Sequence, residues 1–209
     1  MSNILKYGAL VAVLGLLGFN SVYFEKLSSR KAPSGAAGKF DAVSYAQRFW
    51  ADKLLPAAAQ AADLAALLTA LKTDPQPAFA RQSHALGIGN IRYFLVRGAG
   101  TVTAVSATDV TVQLTGGPAV RLATEYVYGN AARDASGLIK NTEFDNTADL
   151  DSLAEQLNAR IRQQVVPGLR AQARPGQAVQ FAGAIELNQA HLHLDKLEVM
   201  PLSFSLVAP

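Results

Sequence analysis

Hydrophobic positions along the chain fall into three regimes, and the first is an unbroken apolar run. From Tyr7 to Phe24 the chain reads YGALVAVLGLLGFNSVYF without a formal charge, bounded by Lys6 on one side and by Glu25 and Lys26 on the other. As a helix the run spans about 27 Å, enough for a bilayer core. Tyr7, Tyr23 and Phe24 stand at its ends, where aromatic rings favour the membrane interface. The pattern predicts an uncleaved membrane-anchor helix. A cleaved signal peptide and a buried core helix are the competing readings, but Phe19 to Phe24 is bulky where a cleavage site wants an A-x-A-like pattern of small residues. Orientation stays open from charge. Lys26, Arg30 and Lys31 favour a cytoplasmic C-terminal portion, whereas the short N-terminus favours the opposite.

After a small-residue stretch without periodicity, Ser28 to Gly38, which reads as a flexible tether, the spacing becomes helical. Val43, Ala46, Phe49 and Trp50 recur at helix spacing. Pro56 suits the first turn of a second helix, whose stripe of Leu64, Leu67, Leu68 and Leu71 is read as core packing and which stops at Asp74-Pro75. A third helix is expected around Pro77 to Leu86, ending at Gly87.

From Ile91 the alternation is that of strands. Ile91, Tyr93, Leu95 and then Val102 to Val105 predict one long strand, bent at Gly98-Ala99-Gly100. Val110 to Leu114 and Val120 to Tyr128 are the second and third strands, after turns at Ala107-Thr108-Asp109 and Gly116-Gly117-Pro118. A loop from Gly129 to Asn146 leads to a helix from about Asp149 to Val165. Leu150, Leu153, Leu157 and Ile161 lie on one of its faces, Asp149 or Asp151 can cap it, and Pro167-Gly168 is expected to end it. Val179 to Ile185 and His191 to Val199 are two further strands, and Leu202 to Leu206 has strand character.

This order predicts an α+β protein: an N-terminal membrane-anchor helix, a helical segment, then an OB-like five-stranded β-barrel with a helix between strands three and four. The expected divisions are an anchor over residues 1–27, a linker over 28–39 and one domain over 40–209, helical over 40–87 and barrel over 88–209.

Composition narrows the chemistry. The 209 residues include no cysteine, which excludes disulfides, thiolate metal sites, cysteine nucleophiles and a lipidated N-terminal cysteine. The net charge of +3 is too small to argue for nucleic acid, and the strand aromatics Tyr93, Phe94, Tyr126, Tyr128 and Phe181 lack an accompanying basic groove. No phosphate loop, dinucleotide fingerprint, nucleophile elbow or zinc-protease motif occurs, so no cofactor and no catalytic residue is assigned.

Three constellations remain. His191 and His193, continued by Asp195, would share one face of a strand and contribute to a metal site, or simply form its solvent face opposite Leu192 and Leu194. Glu143, Asp145, Asp149 and Asp151 lack the glycine of a calcium loop and read as loop and cap residues. Arg133-Asp134, set among small residues in GNAARDASG, is the most unusual. Its guanidinium can fork onto a carboxylate or phosphate ligand, or pair with Asp134 or Asp145 and order the loop. Arg133, Asp134, Asp145 and Asn146 are therefore the candidate ligand or partner residues.

An ordered set of short matches runs through the chain: Trp50 with Leu55-Pro56, Asp63-Leu64, Leu67-Leu68, Phe94-Leu95-Val96, Gly98 to Val102, Gly129 to Ala135, Phe144-Asp145-Asn146, Leu157-Asn158, then Gly176, Val179, Phe181, Gly183 and Pro201. On these the chain, from Tyr45 to Leu206, resembles the uncharacterised bacterial family of predicted periplasmic lipoproteins, domain of unknown function 2291. The resemblance implies an envelope location with the main domain outward, an OB-like barrel, and association with components of sugar-type ABC uptake systems. It supplies no catalytic residues. With no cysteine for a lipid, the apolar helix is expected to hold this chain in the inner membrane as a single span, with the domain periplasmic. The function expected is that of a non-enzymatic binding or accessory protein. The alternative is a ligand binder or enzyme built on the Arg133–Asp134 loop.

Overall fold

The computed structural model describes Tyr7 and residues 40–207. The rest of the expected anchor and the tether lie outside the described residues. Among the described residues no helix is long and apolar enough to cross a membrane.

The helical segment opens with α1 (Ala42–Phe49), where the Asp41 carboxylate accepts a hydrogen bond from the Ser44 amide. The chain then runs through a π-helical turn, Trp50–Leu54, straight into α2 (Leu55–Ala59). Pro56 therefore does not begin a separate helix. Proline removes one amide and crowds the carbonyl four residues back. The widened turn carries the Leu55 amide to the Trp50 carbonyl, and the helix continues past the ring. The leucine stripe belongs to a new helix, α3 (Leu64–Thr73), not to the one holding Pro56. A two-residue strand, β1 (Ala62–Asp63), separates them, and the Asp63 carboxylate caps α3 through the Ala66 amide at 3.0 Å. The third helix, α4 (Pro75–Gln82), ends earlier than expected because Ser83–His84 leaves to pair as β2.

The predicted long strand is one continuous element, β3 (Ile91–Val105). Phe94, Val96, Gly98, Gly100 and Val102 are buried and alternate with exposed Arg97, Ala99, Thr101 and Thr103. β3 pairs antiparallel with β4 (Asp109–Leu114), and β4 with β5 (Ala119–Ala123). β5 runs parallel to β7 (Glu198–Val207), β7 antiparallel to β6 (Ala178–Asn188), and β6 antiparallel to β3 again. The five long strands thus pair in a ring. The mixed sheet has seven strands rather than five, because β1 and β2 both add onto β3.

Two expected strands are corrected. The third stops at Ala123, short of Tyr128, and His191 to Leu197 is a loop, so that the last strand begins at Glu198. Between β5 and β6 lie α5 (Ala131–Asp134), a short 3-10 turn (Asn141–Glu143), α6 (Thr147–Arg160), a second π turn (Ile161–Val165) and α7 (Val166–Gln172). Pro167-Gly168 does not end the helix. Pro167, like Pro56, follows a π turn and the helix passes through it.

Apolar residues bury on both faces of this sheet. Inside the ring, Phe94, Val112, Leu122, Ile185 and Val199 meet the α3 leucines and Leu169 of α7. Outside it, Tyr93, Ala182, Ala184, Met200 and Leu202 pack against Phe49, Trp50, Leu153 and Leu157 of α6 and Ile161 of the π turn that follows it. β6 is covered on both faces, which is why Val179 to Ile185 reads as an almost continuous apolar run.

Candidate functional site

The candidate residues singled out from sequence do not form one site. Arg133 and Asp134 sit on the one-turn helix α5, both buried. The Arg133 Nε donates to Asp134 Oδ1 at 2.6 Å and one Nη donates to Asp134 Oδ2 at 3.3 Å. Asp134 Oδ2 also accepts from the Leu86 amide at 3.3 Å. The pair neutralises itself and ties the loop after β2 to α5. The other Nη of Arg133 lies 3.7 Å from exposed Asp151, at the edge of a cleft of about 360 Å³ that Asn141, Phe144, Asn146 and Leu150 also line. Asn146 reaches this cleft, but its main engagement is local. Its Oδ1 accepts from the Asp149 amide at 3.0 Å, so Asn146, not Asp149 or Asp151, caps α6. Asp145 is exposed and outside the cleft lining. Glu143 accepts from the Tyr45 hydroxyl at 3.0 Å, and burial, reinforced by this bond, pushes the Tyr45 phenol up to about 12. Replacing Asn146 with alanine removes one capping acceptor and should lower stability by about 1 kcal/mol, read as a lower denaturant midpoint at unchanged slope.

His191, His193 and Asp195 lie in the β6–β7 loop, so no strand pleat gives them a common face. Among the described residues no three acidic or histidine side chains converge as metal ligands.

A second concavity, of about 310 Å³, was not legible from the sequence. Its floor is the outer face of three neighbouring strands, with pairs of residues two positions apart on each: Arg121 and Ala123 of β5, Glu198 and Met200 of β7, Ala184 and Glu186 of β6, which also brings Leu187 to the lining. Register brings them side by side. Arg121 is opposite Glu198, and Ala184 is opposite Met200. Tyr126 and Tyr128, 58% and 68% exposed, line it from the segment after β5, while His193 and Lys196 reach it from the β6–β7 loop. The two tyrosines flank buried Val127, so both project to the open side.

That segment is not part of the sheet, yet it is held. Asn158 of α6 donates to the Gly129 carbonyl at 2.9 Å, and Arg162 donates to the Val127 carbonyl at 2.6 Å. These bonds grip the backbone on either side of Tyr128. Arg121 Nη2 makes a long bond, 3.4 Å, to the Lys196 carbonyl, and its buried Nε has no acceptor among the described residues. Tyr93 of β3 is opposite Glu186, its phenol pushed up to about 12 by burial and then by the Glu186 and Asp134 carboxylates, so it stays protonated.

A third concavity, of about 440 Å³, lies beside α2 and is lined largely by small residues. Its charged groups are already engaged: Asp63 caps α3 and Arg97 donates to the Ala61 carbonyl at 3.0 Å.

Comparison with known proteins agrees with this fold. A crystal structure of an OB-fold protein from Thermotoga maritima is similar to the chain with a TM-score of 0.72 and 23% identity, over 81% of this chain and 99% of that one. At that identity the likeness is one of fold. No curated protein matches the chain. The model of one family, described as predicted periplasmic lipoprotein (DUF2291), matches residues 11–205, nearly the whole sequence. The chain belongs to that family of predicted periplasmic lipoproteins of unknown function.

Proposed function

We propose that this protein is a non-enzymatic binding or accessory protein of the cell envelope, working beside a sugar-type ABC uptake system. The observation that carries the reading is the groove over β5, β7 and β6. It gathers outward-facing side chains with unused hydrogen-bonding capacity on a strand ring that we read as an OB-like barrel. The buried Arg133–Asp134 ion pair, by contrast, is spent on itself and on the Leu86 amide. In OB folds the loop joining the last two strands borders the ligand face, and here that loop supplies His193 and Lys196. The family is one of predicted lipoproteins, and this sequence has no cysteine to carry a lipid. The apolar segment from Tyr7 to Phe24 takes that place in this reading, as a single inner-membrane span with the domain periplasmic.

Purification of the full-length protein from native membranes, with mass spectrometry of what accompanies it, tests this. Enrichment of a transporter permease or solute-binding protein over a control carrying residues 1–39 alone is the expected result. Equal recovery in the two samples contradicts the accessory role.

A further inference from the structure

The groove is a candidate for a defined class of ligand, and its chemistry narrows that class. Two cations, Arg121 and Lys196, face two carboxylates, Glu186 and Glu198. A polyanion gains little from such a balanced surface and would meet both carboxylates. A hydrocarbon would strip water from the same four charges without replacing its hydrogen bonds. A ligand carrying many hydroxyls fits both signs, because each hydroxyl donates to a carboxylate and accepts from a guanidinium. Among the described residues the Arg121 guanidinium makes one long bond, 3.4 Å from Nη2 to the Lys196 carbonyl, so it keeps donor capacity for a hydroxyl oxygen in the groove. The two exposed tyrosines add flat faces, held in place through the carbonyls of Val127 and Gly129, against which a ring bearing C–H bonds can stack.

We infer that the groove binds the ring of a neutral, polyhydroxylated sugar, with Arg121, Glu186 and Glu198 holding its hydroxyls and Tyr126 and Tyr128 covering a C–H face. This rests on the reading of the groove as the protein's binding surface and names its ligand class. It contains no bond-making step.

The test is calorimetric titration of the full-length chain, in a detergent without a sugar headgroup, with D-ribose, D-galactose and maltotriose. Saturable binding of at least one is expected. The double variant Tyr126→Ala/Tyr128→Ala should weaken it by about tenfold or more with an unchanged melting temperature, since both side chains are exposed. Arg121→Lys, which keeps the charge but loses the guanidinium's planar fork of donors, should weaken it to a similar degree. Absence of binding to all three sugars overturns the inference, as does unchanged affinity in both variants. Failure here while the transporter component still co-purifies removes the sugar and leaves the accessory role. Sugar binding without any co-purified partner does the reverse.

Discussion

Asp134→Ala is expected to cost about 3–5 kcal/mol of stability, because it leaves the Arg133 guanidinium buried without its counter-charge. Arg133 and Asp134 are 5% and 3% exposed, so water reaches neither group readily. The substitution also removes the acceptor of the Leu86 amide and so loosens the loop that leads from β2 into β3. Exposed Asp151, 3.7 Å from Arg133, is too solvated to replace the lost partner. Urea unfolding followed by circular dichroism reads the loss directly. A double variant, Arg133→Met/Asp134→Leu, should recover much of it, since removing both charges abolishes the uncompensated one. A loss below about 1 kcal/mol in the single variant would show that the pair does not order the loop.

Gly100→Ala is the second large effect, and its cause is steric. A Cβ at Gly100 would stand 2.2 Å from the Gln113 carbonyl oxygen and 2.9 Å from Val112 Cγ1. The nearer obstacle is backbone of the paired strand, so β3 and β4 must separate where Gly100 faces Leu114. About 3 kcal/mol is expected to be lost. Gly98→Ala provides the comparison. Its Cβ would meet the Phe181 ring at 2.6 Å, and the far end of a ring yields more easily than a carbonyl. The melting temperature should therefore fall further for Gly100→Ala than for Gly98→Ala. Equal losses would mean that the β3–β4 backbone approach is not what requires glycine at position 100.

These two positions also show what could be read from sequence. The alternation of Ile91, Tyr93 and Leu95 and the run from Val102 to Val105 set the bounds of β3 to its last residue, but the shift in its pairing falls between Val102 and Ala104, not at the Gly98-Ala99-Gly100 bend expected from the glycines. The match segments around Gly129 and Leu157-Asn158 turned out to touch, through Asn158 and the Gly129 carbonyl. The errors have physical causes. Leu192 and Leu194 alternate with histidines and are half-buried against the ring interior, yet that stretch makes no strand: alternation reports burial, not pairing. Tyr126, Val127 and Tyr128 misled in the same way. Pro56 and Pro167 read as helix punctuation in the sequence because nothing local announces a π turn. Asp63 capped a helix whose start the leucine stripe had concealed. The groove was invisible because Arg121, Glu186 and Glu198 become neighbours only when β5, β7 and β6 pair, a contact between distant parts of the chain.

The proposed binding surface is open to direct measurement, since the natural chain has no cysteine. A single thiol can be placed at the groove rim by Lys196→Cys, an exposed position whose carbonyl, not its side chain, engages Arg121. A second, at Val43→Cys on the exposed face of α1, serves as control. The decisive quantity is the rate of maleimide labelling in native envelope membranes relative to that in purified protein. If the groove is the binding surface, position 196 is labelled more slowly in the membranes while position 43 is labelled equally in both. Equal relative rates at the two positions would contradict it.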